Sequence, residues 1–169
     1  TINIKKGRKD FNELLTCLKQ VKNTSIVFSY PNHDVDSDYI IAKMNEFVKK
    51  NKNAKLFKFV GQENYYQLLK NFDCIIGNSS SGIIEAPSAK IPTINIGERQ
   101  DGRIKAESVI DCYSEKEDII KGVKKAISSS FKKKCKKIKN PYGDGKSSNR
   151  ILKILRNLKY PLEIKKDFY

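Results

Sequence analysis

The sequence predicts an α/β fold, a parallel β-sheet with helices on both faces, within a single domain. Two observations predict it. Short apolar runs rich in Ile, Val and Phe recur along the chain, and stretches with helical apolar spacing separate them. Strands that alternate with helices run parallel and are covered on both faces, because each crossover helix lies against the sheet it connects. A third observation sets the scale: 169 residues are about one domain, enough for a substantial core.

The elements follow in order. Phe11, Leu14, Leu15, Leu18 and Val21 recur at helical spacing, so residues 8–22 form an amphipathic helix. Ser25-Ile-Val-Phe-Ser-Tyr30 is a buried strand, stopped by Pro31, which has no N–H for a ladder. A loop over 31–37 holds Asn32, His33, Asp34 and Asp36, and a helix near 37–51 follows. Lys55-Leu-Phe-Lys-Phe-Val60 is the second strand, 63–71 a short helix and 73–77 the third strand. A Ser-rich turn then opens a helix over 82–89. Pro92-Thr-Ile-Asn-Ile-Gly97 and Ser108-Val-Ile-Asp-Cys112 are further strands, and helices near 115–130 and 147–158 close the chain. Between those helices, a Lys-rich stretch and Asn140-Pro-Tyr-Gly-Asp-Gly145 form a turn-rich break. Ligands of open parallel sheets sit beyond the strand C-termini. The loops at 31–37, 60–63, 77–82 and 97–103 are therefore expected on one rim.

Composition narrows the function classes. No apolar run approaches the roughly 20 residues that span a bilayer. Thr1-Ile-Asn-Ile-Lys-Lys lacks the zones of a signal peptide. The four cysteines (17, 74, 112 and 135) are scattered, without a Cys-x-x-Cys pair or a His cluster. That pattern argues against structural zinc and a disulfide framework and for reduced thiols in a cytoplasm. No metal site is expected, since nothing adds ligands to Asp34 and Asp36 at useful spacing; those two acids shape the turn or cap the helix after it.

The formal charge of +15, densest at Lys132-Lys-Lys-Cys-Lys-Lys-Ile-Lys139, invites a nucleic-acid reading. Lysines far outnumber arginines, however, and are spread over most segments. No basic motif interleaved with aromatics appears, so a small anionic ligand is preferred.

The most informative run is Cys74-Ile-Ile-Gly-Asn-Ser-Ser-Ser-Gly-Ile-Ile-Glu85. Asn78, Ser79, Ser80, Ser81 and Gly82 have two readings: an anion cradle, in which hydroxyls and helix-start N–H groups ligate phosphate, or an ordinary N-cap. In the first, Gly82 permits close approach of the ligand. Glu85, one turn in, either answers the helix dipole or accepts the hydroxyl protons of a sugar diol. Gly97-Glu-Arg-Gln-Asp-Gly-Arg103 carries two arginines between glycines, suited to bidentate phosphate contacts or simply exposed. His33, the single histidine, is either a general base or a surface residue.

Ile76-Gly-Asn-Ser-Ser-Ser-Gly-Ile-Ile-Glu-Ala-Pro87 and Pro92-Thr-Ile-Asn-Ile-Gly-Glu-Arg-Gln-Asp-Gly-Arg103 resemble the UDP-N-acetylglucosamine 2-epimerases. The likeness is closest to the hydrolysing branch that feeds sialic acid synthesis, and continues through Tyr142-Gly-Asp-Gly145 and the final helix. It implies a three-layer Rossmann-like parallel sheet, one half of a two-domain glycosyltransferase-B architecture. Residues 1–169 would be the C-terminal, UDP-binding domain, without its first strand, which lies mid-sheet, and without the N-terminal domain.

By that resemblance Ser79, Ser80 and Gly82 ligate the diphosphate, Glu85 accepts both ribose hydroxyls and Arg99 pairs with phosphate. Val60, at the end of its strand, lines the uracil pocket. Asn78, His33 and Arg103 are secondary candidates. The implied reaction eliminates UDP across C1–C2 and then adds water, giving N-acetylmannosamine; no cofactor is implied. The catalytic groups are expected outside this chain, so the chain alone should bind UDP without turning its sugar over. The implied partners are UDP-N-acetylglucosamine or UDP and the enzyme's own N-terminal domain, with a homo-oligomer left open. The rival readings are a hydrolysing 2-epimerase of another UDP-amino sugar such as a diacetamido sugar, a glycosyltransferase, and a noncatalytic nucleic-acid-binding domain.

Overall fold

A computed structural model describes residues 4–158. Its strands are short and parallel. β1 (Ile26–Ser29) pairs with β2 (Ala54–Phe57), Ile26 lying opposite Ala54 and Ser29 opposite Phe57. β3 (Ile75–Gly77), β4 (Thr93–Ile96) and β5 (Val109–Cys112) form a second sheet in that order, with Gly77 opposite Asn95 and Ile96 opposite Cys112. Among the described residues the sheet is thus in two parts, β1 with β2 and β3 with β4 and β5, and no strand of one part pairs with a strand of the other.

The helices are α1 (Ile4–Leu18), α2 (Ser37–Lys50), α3 (Gln62–Asn71), α4 (Ser81–Ile84), α5 (Lys116–Ile127), α6 (Ser129–Cys135) and α7 (Ser147–Arg156). One core unites both parts of the sheet. Leu14, Leu15, Cys17 and Leu18 of α1, Met44 and Phe47 of α2, and Ile119, Val123 and Ala126 of α5 meet Phe28, Ala54, Ile94, Ile96 and Ile110 of the strands. Strand alternation sets the faces: Ile76 turns to this core, while Ile75 joins Leu69 and Tyr65 of α3 on the other side. Helices therefore cover both faces, as the alternating pattern predicts.

β4 is buried along its length, the mark of a central strand. Ile94 is fully buried, and that burial contributes about 1.5–3 kcal/mol.

Several boundaries differ from expectation, each for a local reason. The helix expected over 82–89 ends at Ile84. Pro87 has no N–H to bond the Ile83 carbonyl and disfavours a helical Ala86. The strand expected over 55–60 ends at Phe57. Its partner β1 ends at Ser29, and the Tyr30 N–H closes the ladder on the Phe57 carbonyl at 3.2 Å. The helix expected over 115–130 is broken at Ser128, whose extended backbone (φ −66°, ψ 139°) ends α5. Its hydroxyl accepts the Phe131 N–H at 3.3 Å and so caps α6, placing Lys132, Lys133 and Lys134 on a helix rather than in a break.

Candidate functional site

Two glycines open the site. Gly77 (φ +144°) ends β3 and Gly97 (φ +74°) ends β4, backbone conformations that side chains resist, so both strands turn sharply at their C-terminal edge. The turn after β3 is organised from within. Ser79 Oγ accepts the Ser81 N–H at 3.3 Å, and the Ser79 carbonyl accepts the Gly82 N–H at 3.2 Å. The Ser80 carbonyl receives Ile83 and Ile84, at 3.0 and 2.9 Å. The amides of Ser79 and Ser80 have no acceptor among the described residues. With only four residues α4 has little dipole. Whatever anion affinity the turn has must come from these amides and hydroxyls.

Gly82 is required here for a close approach within the fold. A Cβ at this position would lie 2.6 Å from Thr93 Cγ2, and Thr93 Oγ1 donates to the Gly82 carbonyl at 2.7 Å. The missing side chain lets α4 sit against β4, and the Gly82 amide is already engaged within the turn.

Glu85 follows α4, half-buried, and its carboxylate accepts no hydrogen bond from a described residue. Its charge reaches Tyr65 of α3, whose hydroxyl bonds Ser81 Oγ. Burial pushes the Tyr65 phenol up, the Ser81 hydrogen bond opposes this, and Glu85 adds to it. Tyr65 is therefore a neutral phenol at physiological pH. Behind Glu85, Asn140 Nδ2 donates to the Ile84 carbonyl at 2.8 Å and to Ser88 Oγ at 2.7 Å. The turn at 140–145 is thereby fastened beside the Glu85 segment.

The loop after β4 meets both neighbours. Arg99 Nη1 lies 3.3 Å from Asp34 Oδ2 in the loop after β1. Gln100 is buried and donates from Nε2 to the Asn78 carbonyl at 2.8 Å. Three of the four strand-end loops expected on one rim are thus tied together. The fourth, at 60–63, makes no hydrogen bond or ion pair to the other three among the described residues; α3, which follows it, reaches Ser81 through Tyr65. Val60 lies beyond β2 rather than at a strand end, half-buried in the approach to α3. Arg103 and His33 are exposed. Asp36 occupies the N-cap position of α2 without capping through its side chain; it is buried and pairs with Arg8 Nε at 2.9 Å. Among the described residues no group of His, Cys, Asp and Glu is arranged to hold a metal.

Sequence reasoning missed Tyr65, Gln100, Asn140 and the pairing role of Asp34. Gln100 stood between two candidate arginines, and its neutral amide drew no assignment. Tyr65 carried no signal beyond its helical spacing.

Parallel strands, helices on both faces and a loop cluster at the strand C-termini define a Rossmann-like α/β domain of the glycosyltransferase-B kind. The family model described as UDP-N-acetylglucosamine 2-epimerase matches residues 2–156, and the chain belongs to that family. It is 39% identical over 170 residues to the GDP/UDP-N,N'-diacetylbacillosamine 2-epimerase (hydrolyzing) of Campylobacter jejuni, covering 99% of this chain and 44% of the relative. It is 36% identical to the polysialic acid biosynthesis protein P7 of Escherichia coli, covering 100% of this chain and again 44% of the relative. The Methanocaldococcus jannaschii UDP-GlcNAc 2-epimerase, solved in complex with UDP-GlcNAc and UDP, superposes with a TM-score of 0.67 at 25% identity, over 88% of this chain and 41% of that one. The chain thus spans less than half the length of these relatives. No helix among the described residues is long and apolar enough to cross a membrane.

Proposed function

We propose that this chain is the UDP-binding, C-terminal half of a hydrolysing UDP-sugar 2-epimerase, with UDP-N-acetylglucosamine as substrate and UDP and N-acetylmannosamine as products. The observation that carries the reading is the half-buried Glu85 carboxylate, free of hydrogen bonds from described residues, one short helix after a turn with two free amides. A carboxylate so placed accepts two ribose hydroxyls, and the amides and hydroxyls of Ser79 and Ser80 hold the diphosphate. Gly82 lets the turn sit close to β4, and Asn78 leads into it. Arg99 exchanges Asp34 for phosphate. Val60 borders the base, while His33 and Arg103 remain secondary contacts on the same rim.

In the whole enzyme, a base removes the C2 proton as UDP departs from C1 with the bond electrons. Water then adds, hydroxyl to C1 and proton to C2, on the opposite face. This chain's part is to hold the leaving UDP. The acid and base belong to the N-terminal domain, which accords with relatives more than twice as long. The division of the sheet into two parts across a shared core supports a further parallel strand ahead of α1 that completes the sheet. The four cysteines, free and scattered along the sequence, accord with a cytoplasmic setting.

A second reading keeps the reaction and changes the sugar. The name of the Campylobacter jejuni relative favours a UDP-linked diacetamido sugar, and the residues assigned to UDP do not discriminate between the two.

Calorimetric titration of UDP, UMP and uridine into the wild type and Glu85→Ala tests the site. Loss of charge-assisted hydrogen bonds to the ribose, roughly 1.5–3 kcal/mol each, should weaken all three ligands at least tenfold with the fold intact. Equal affinities in both proteins would overturn the ribose assignment. Release of N-acetylmannosamine by the isolated chain would overturn the division of labour, and assay of the full-length enzyme on both sugars separates the two substrates.

A further inference from the structure

We infer that Gln100 is a positioning residue: a strut that sets the Asn78–Ser81 turn relative to Arg99, and so fixes the spacing of the groups that grip a diphosphate. The inference deepens the UDP-site reading and rests on it. Gln100 is 4% exposed, and its Nε2 donates to the Asn78 carbonyl at 2.8 Å, across 22 residues of sequence. Its Oε1 is equally buried and receives no hydrogen bond from a described residue.

Stability alone does not account for this side chain. One neutral hydrogen bond returns about 0.5–1.5 kcal/mol, while the orphaned amide oxygen costs about 1–3 kcal/mol. A methionine would fill similar space without that cost. What the amide supplies is placement. It joins the residue preceding Ser79 and Ser80 to the residue following Arg99, so the free amides and the guanidinium are referenced to each other through one bond. Polyanion recognition depends on such spacing to a fraction of an ångström.

The test uses the folded chain with Gln100→Met, which removes the donor, and Gln100→Glu, which keeps the size and replaces the donor by a carboxylate. Hydrogen exchange of the ligand-free proteins, read residue by residue, should quicken at least tenfold at Ser81 and Gly82, whose amides bond Ser79, and stay unchanged at Ile94 and Ile96. UDP affinity should fall about tenfold in both variants, while uridine, which lacks the diphosphate, stays within twofold. Unchanged exchange at Ser81 and Gly82 beside intact wild-type UDP binding would overturn the strut. So would equal losses for UDP and uridine, or acceleration that spreads into β4, because either marks a merely structural residue. Absence of UDP binding by the wild type would overturn the site reading and the strut together.

Discussion

Asp34 and Arg99, from loops that follow different strands, form an ion pair with Oδ2 and Nη1 3.3 Å apart. Both side chains are about two-fifths exposed, so the pair contributes roughly 0–1 kcal/mol. A diphosphate offers Arg99 more charge and a bidentate geometry, and can displace the carboxylate at small cost.

Asp34→Asn should therefore tighten UDP three- to tenfold, by freeing Arg99 and removing a negative charge beside the anion. Uridine affinity should not move. Calorimetry at fixed ionic strength reads both, and weaker UDP binding in Asp34→Asn would mean that the carboxylate orients Arg99 instead of competing for it.

Gly82→Ala places a methyl group 2.6 Å from Thr93 Cγ2, so α4 must shift from β4. Overpacking of this kind costs about 1–3 kcal/mol, and UDP binding should weaken as the turn moves. Gly122→Ala, whose Cβ meets Cys112 Sγ at 2.6 Å and Ile94 Cγ2 at 3.2 Å, provides the control. It should lower the melting temperature without changing the UDP affinity of the folded protein.

Tyr65→Phe removes the hydroxyl that bonds Ser81. A loss of about 0.5–1.5 kcal/mol is expected in urea unfolding, with faster exchange of the Ser81 amide. An unchanged midpoint would remove Tyr65 from the account of the turn.

Cys74 is a test of burial. Desolvation chiefly, with Asp73 adding to it and Lys132 opposing, pushes its thiol up to about 11. Burial likewise pushes up Cys17, Cys112 and Cys135. A chromogenic thiol reagent at pH 8 should label the native protein slowly and all four cysteines after denaturation. The sign of the linked stability follows: the contribution of Cys74 is complete below the ordinary thiol value of 9.0 and is lost as pH rises through about 11.

Much of the architecture was legible because its signals are local. Ile26, Phe28, Ile94 and Ile110 announced strands through runs of apolar residues, and Leu14, Leu15 and Leu18 announced a helical face. The differences arose where a single residue overrode a pattern. Pro87 cut short a helix that the apolar spacing favoured, and Ser128 divided one helix into two. The packing of Gly82 against Thr93, eleven residues on, had no local signal.

The sequence by itself determined the alternation of strands and helices, the Ser-rich turn with Glu85 one turn later, and the arginine loop after β4. Those are properties of neighbouring residues, set by side-chain period and by where Gly and Pro break it. Only the tertiary structure decided that Asp34 meets Arg99, that Gln100 bonds the Asn78 carbonyl, that Tyr65 reaches Ser81 and that the described strands fall into two separate sheets. Each depends on how helices on two faces set the separation and register of strands distant in sequence. No local periodicity encodes that distance; packing of the shared core does.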